Sequence, residues 1–230
     1  MRSVVMVTAS ITSQIAELLD REEWRKARKL LELEREESPG DHWVLTQLGV
    51  TYYEQFQYEE ALKLFLASIA ILSTCPLTLW NLAGTLDALG NHAEAADVYT
   101  WLLQARRTAK QDPCWQSKKW TDALKTDCFY RLGTSLRHLG KTRESELCLW
   151  RYIELVVAGN EGAYSIEKAV AQIKQLHPEK RNSVVEGEFR KVILSTLAEI
   201  GVEQTNGRRN PPPKFGGGKQ FPGRRVASTR

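Results

Sequence analysis

The sequence predicts an all-α protein of helix pairs stacked into a solenoid, and three observations predict it. A pattern of small and large apolar residues recurs every 34 residues. Within each copy the apolar residues fall at helical spacing. Short breaks, two of them carrying glycine, separate one helix from the next. A fixed period of this length signals stacked units, each too small to bury its apolar face except against a neighbour.

The recurrence is clearest in the second helix of each pair. Glu23-Trp24-Arg25-Lys26-Ala27-Arg28-Lys29-Leu30-Leu31 precedes Gln57-Tyr58-Glu59-Glu60-Ala61-Leu62-Lys63-Leu64-Phe65 by 34 positions, and Asn91-His92-Ala93-Glu94-Ala95-Ala96-Asp97-Val98-Tyr99 follows by 34 more. The small residue is Ala27, Ala61 and Ala95. A large apolar residue comes four later, at Leu31, Phe65 and Tyr99. First helices align as Leu48-Gly49 with Tyr52 and Leu82-Ala83 with Leu86, and the breaks as Gln55-Phe56-Gln57 and Leu89-Gly90-Asn91. Another copy carries Leu132-Gly133, Leu136, Leu139-Gly140-Lys141, Ser145 and Leu149. Its small residue lies 50 positions after Ala95, which places an insertion of about 16 residues around 105–120. Gly90 and Gly140 suit helix C-terminal positions, where a left-handed residue is tolerated.

These residues make the chain resemble the tetratricopeptide-repeat superfamily over residues 12–158, most clearly over 41–73 and 74–108. Two features depart from the family pattern. Leu45 and Leu79 stand where a first-helix Trp is usual, with Trp43 and Trp80 shifted nearby, and Pro39 supplies the inter-repeat proline only once. The resemblance implies a right-handed α-solenoid of about four helix pairs.

The flanks complete the plan. Residues 1–11 read as an N-terminal extension. Trp115 to Cys128 reads as an extension of a first helix, with Trp115, Trp120 and Leu124 packing on the solenoid or projecting toward a partner. Residues 163–201 read as C-terminal capping helices: one at residues 165–176, N-capped by Ser165 and ended by Pro178, and a second at 184–200. Residues 205–230, with Pro211-Pro212-Pro213 and Gly216-Gly217-Gly218, cannot bury a core and read as a disordered basic tail.

Charge follows the same division. The chain carries 32 Lys/Arg and 28 Asp/Glu. Residues 206–230 hold seven of the bases and no acid, so the remainder has a formal charge of −3 and the basic character belongs to the tail. Arg208, Arg209, Lys214, Lys219, Arg224 and Arg225, interleaved with Phe215 and Phe221, suit contact with nucleic acid or an acidic partner, or a solubilising linker. The apolar run Val4–Val7 is too short for a signal-peptide core, so the expected location is cytoplasmic. Cys75, Cys114, Cys128 and Cys148 show no metal-ligand or C-x-x-C spacing and read as free thiols.

No residue set points to catalysis, a cofactor or a metal. Gly216-Gly217-Gly218-Lys219 lacks the spacing and preceding strand of a phosphate loop. His42, His92, His138 and His177 fall in different units, and acid pairs such as Glu59-Glu60 lie near helix starts, where the helix dipole favours them. The expectation is a non-enzymatic protein-binding module, an adaptor, scaffold or co-chaperone-like protein holding a partner's extended peptide or helix. Alternatives are a secretion-type chaperone and association through the tail.

The resemblance also assigns groove positions on the first helices. They are Trp43, Gln47, Val50 and Tyr53, then Trp80, Asn81, Gly84 and Asp87, then Tyr130, Arg131, Thr134 and Arg137. Trp and Tyr with nearby Arg are what binding hot spots favour. Trp43 and Trp80 read equally as packing at repeat junctions. The carboxylate-clamp positions of chaperone-binding family members read Thr46, Val50, Asn81, Asp127 and Arg131. Only Asn81 and Arg131 fit, so no full clamp is expected.

Overall fold

The computed structural model describes residues 2–106 and 113–177, with Gly187 and Lys191 as isolated helical positions. Among them lie nine α-helices and no strand: α1 (Arg2–Asp20), α2 (Trp24–Glu37), α3 (His42–Tyr53), α4 (Tyr58–Ile71), α5 (Pro76–Ala88), α6 (His92–Gln104), α7 (Lys118–His138), α8 (Thr142–Val157) and α9 (Ile166–Leu176). They form two compact units, α1–α5 up to Leu89 and α6–α9 from Gly90 onward. Of the expected second capping helix only Gly187 and Lys191 are described, and the basic tail lies outside the described residues.

The repeat pattern is the packing pattern. Ala27, Ala61, Ala95 and Ser145 are fully buried, and so are Leu31, Phe65, Tyr99 and Leu149. Small residues let paired helices approach, and the large residue one turn later fills the space. The approach is tightest at Gly49, where a Cβ would sit 2.5 Å from the Phe65 ring. Ser145 replaces the usual alanine at no cost in unpaired groups, because its hydroxyl donates to the Gly133 carbonyl at 2.7 Å. In the first unit Thr46, Ser68 and Thr78 join buried hydroxyls at 2.7–3.3 Å, so Thr46 serves the core.

Helix ends follow from local chemistry. Asp41 caps α3 by accepting the Trp43 N–H at 2.7 Å, Pro76 begins α5, and Ser165 caps α9 as expected by accepting the Lys168 N–H. Four helices end in the same double hydrogen bond, in which one residue takes positive φ. Those residues are Glu22, Phe56, Gly140 and Gly159.

Two boundaries differ from expectation. Helix α1 begins at Arg2, so residues 2–11 continue a helix instead of forming a separate extension. Helix α7 begins at Lys118, because Ser117 accepts the Trp120 N–H and Gln116 takes φ +46°. Trp115 lies before it in a single 3-10 turn (Pro113–Trp115), fully buried, its carbonyl accepting from Thr121. Lys125 of α7 donates to the Leu103 and Ala105 carbonyls at the end of α6, tying the helices on either side of the insertion. No helix among the described residues is long and apolar enough to cross a membrane.

Candidate partner-binding face

In the first unit, the groove positions divide by burial. Trp43 is half-buried, its inner side against Ile15, Leu31, Val44 and Leu48. Gln47 and Tyr53 also keep accessible surface, and the Tyr53 ring meets Tyr58 edge to face at 5.3 Å. Val50 is buried in the core with Ala61, Phe65 and Leu82. Helix α5 is buried without interruption over residues 78–85. Trp80, 2 % exposed, is therefore no surface anchor, and Gly84 is buried beside it. Asn81 turns its amide to the Leu77 carbonyl of its own helix at 2.8 Å. Asp87 alone of the four α5 positions remains accessible.

In the second unit, the corresponding positions are engaged by the chain itself. Tyr130 is buried: its ring stacks on Tyr164 at 3.8 Å, nearly parallel, and meets Tyr152 edge to face at 5.3 Å. The Tyr152 hydroxyl bonds the backbone of Tyr164. The Arg131 guanidinium lies 5.7 Å from the Tyr164 ring centre, and the Thr134 hydroxyl pairs with the Gln172 amide of α9 at 3.0 Å. Arg137, at the far end, donates to His138, whose ring stacks on His92 at 4.3 Å. Tyr130, Arg131 and Thr134 are thus occupied by residues 164–172.

Beneath this contact lies a buried acid. Asp127 is 1 % exposed and accepts the Ala163 N–H at 2.7 Å. Burial raises its pKa to about 7, against the opposing pull of that N–H and of the Arg131 charge. Burial and the Asp127 charge also push the adjacent Cys128 thiol well up. All four cysteines are free, and Cys75 and Cys128 are buried. Sequence reasoning weighed Asp127 only as a poor clamp residue and missed Tyr152 and Tyr164. The one available signal was the aromatic Tyr164 directly before a capped helix.

Residues 43–72 match the model of the tetratricopeptide repeat. No curated protein sequence matches the chain significantly. Solved structures of the same fold include MamA residues 41 to the end from Desulfovibrio magneticus RS-1, at 12% identity over 83% of this chain and 95% of that one, with a TM-score of 0.60. PilF of Pseudomonas aeruginosa is similar at 15% identity over 86% of this chain and 77% of its own, TM-score 0.60. YrrB, described as a tetratricopeptide-repeat protein with an unusual peptide-binding site, is similar at 14% identity over 82% and 86%, TM-score 0.55. Residues 43–72 thus form a tetratricopeptide repeat, and the described helices share the all-α fold of these solved structures.

Proposed function

We propose that the protein is a non-enzymatic interaction scaffold that holds a segment of a partner protein against the first helices of its repeats. The observation that carries this is the selective exposure along α3 and α5. Core positions there are closed, whereas Trp43, Gln47, Tyr53 and Asp87 keep surface open to a ligand. Half-exposed aromatic side chains beside amide and carboxylate groups can supply apolar contact and fix a peptide's direction. The peptide-binding site stated for YrrB, a protein of the same fold, supports the same reading. The α7 positions contribute only when residues 164–172 move aside, so binding centres on the first unit.

Random-peptide display against the immobilised full chain tests this. Selected peptides are expected to bind a Gln47→Ala/Tyr53→Ala variant at least about tenfold more weakly, a loss of roughly 1.4 kcal/mol, with the thermal midpoint within about 2 °C of wild type. Selection of peptides that bind both proteins equally would remove the assignment.

A further inference from the structure

The turn between α3 and α4 carries exposed aromatic surface that the fold does not require. Phe56 holds φ +61°, at a position where the matching turns carry Glu22, Gly90 and Gly140. An L-residue there is disfavoured by about 1 kcal/mol, and the Phe56 side chain recovers little of that by burial, since it is 64% exposed. Its ring meets Tyr58 edge to face at 6.2 Å, and Tyr58 meets Tyr53 likewise at 5.3 Å. Non-parallel rings leave electron-rich faces open to a cation. Carboxylates flank them: Glu59 is exposed beside Tyr58, and Glu54 adds to burial and to Tyr53 in raising the pKa of the Tyr58 hydroxyl. Glu60 is taken by Lys63 at 2.9 Å.

The same turn already shows this chemistry once. The Arg28 guanidinium lies 3.5 Å over the Tyr52 ring while donating to the Thr51 carbonyl and the Gln55 side chain. The chain also holds a source for a second cation. Residues 1–89 contain eight Lys/Arg and 13 Asp/Glu, a formal charge of −5, and residues 206–230 carry +7. A basic segment and an acidic domain on one chain attract at an effective concentration far above that of a separate partner.

We propose that the Tyr53–Phe56–Tyr58 cluster is the docking point for the chain's own basic segment, residues 206–230, with an arginine or lysine side chain seated against the rings. The contact makes the first unit a regulator of the tail, since a docked tail is withheld from other acidic partners. The cluster shares Tyr53 with the peptide-binding face, so a docked tail also competes with a partner there, whereas Phe56 and Glu59, the positions varied below, lie outside that face.

Limited trypsin digestion of the full chain, followed by mass spectrometry of cuts after Arg208, Arg209, Lys214, Lys219, Arg224 and Arg225, tests this. Phe56→Gly removes the ring and suits the positive φ, so folding is expected to be kept, with a thermal midpoint equal to or above wild type. At low salt, tail cleavage is expected to be at least about threefold slower in wild type than in Phe56→Gly or Glu59→Gln. The difference should vanish near 0.5 M salt, where charge attraction is screened. Equal low-salt cleavage rates in wild type and Phe56→Gly would overturn the proposal. So would protection that grows with protein concentration, which assigns the tail to a second copy, or that appears only with added nucleic acid.

Discussion

Asp127→Asn is expected to raise the stability of the second unit above pH 7 by about 4 kcal/mol while leaving it unchanged near pH 4. The carboxyl has an ordinary value of 3.8 unfolded and about 7 when folded, a difference worth roughly 1.4 kcal/mol per unit. Because the folded value is the higher, the native state holds the proton more tightly. The group's stabilising contribution is therefore complete below about pH 4, is lost as pH rises, and is gone above about pH 7. Asparagine has no proton to lose, and its carbonyl can still accept the Ala163 N–H. Other groups also titrate over this range, so the informative quantity is the difference between the two proteins. Thermal unfolding from pH 4 to pH 8 is expected to give curves that meet at pH 4 and separate with rising pH. Parallel curves would show that Asp127 is no more protonated folded than unfolded. The same linkage ties pH to the contact over α7: lifting residues 163–164 wets Asp127, and that opening is favoured as pH rises.

Phe65→Ala is expected to cost about 3–5 kcal/mol, read from chemical denaturation. Phe65 is fully buried with Val50, Ala61 and Leu82. Gly49→Ala is expected to destabilise by about 1–3 kcal/mol for the opposite reason, since its new Cβ would lie 2.5 Å from the Phe65 ring. The two changes touch one space, so the double variant should be less unstable than the sum of the singles, by more than about 0.5 kcal/mol. Strict additivity would mean that the ring and the glycine do not share that contact.

The repeat was readable because tight helix pairing admits few residue types. A 34-residue recurrence of Ala27, Ala61 and Ala95 with Leu31, Phe65 and Tyr99 already states which residues meet, and all of them are fully buried. The binding face was less readable because facing inward in the repeat does not determine burial. Trp43 and Trp80 look alike in the sequence but stand at different places in the repeat: Leu77, 34 residues after Trp43, also keeps accessible surface, and Thr46, 34 before Trp80, is also buried. Tyr130 was unreadable as a buried residue, since what covers it comes from Tyr164, 34 positions later and outside any repeat signature. The Thr46, Ser68 and Thr78 cluster illustrates the same limit: three hydroxyls from three helices look individually like surface residues, and only their convergence puts them in the core.

The measurement that bears most directly on the scaffold reading is an amide chemical-shift titration of the full chain with a display-selected peptide. Binding against the first helices predicts saturable shifts concentrated along α3 and the exposed end of α5, at Trp43, Gln47, Tyr53 and Asp87 and their neighbours. Shifts confined to the outer surfaces of α2 and α4, or to residues 206–230, would contradict it.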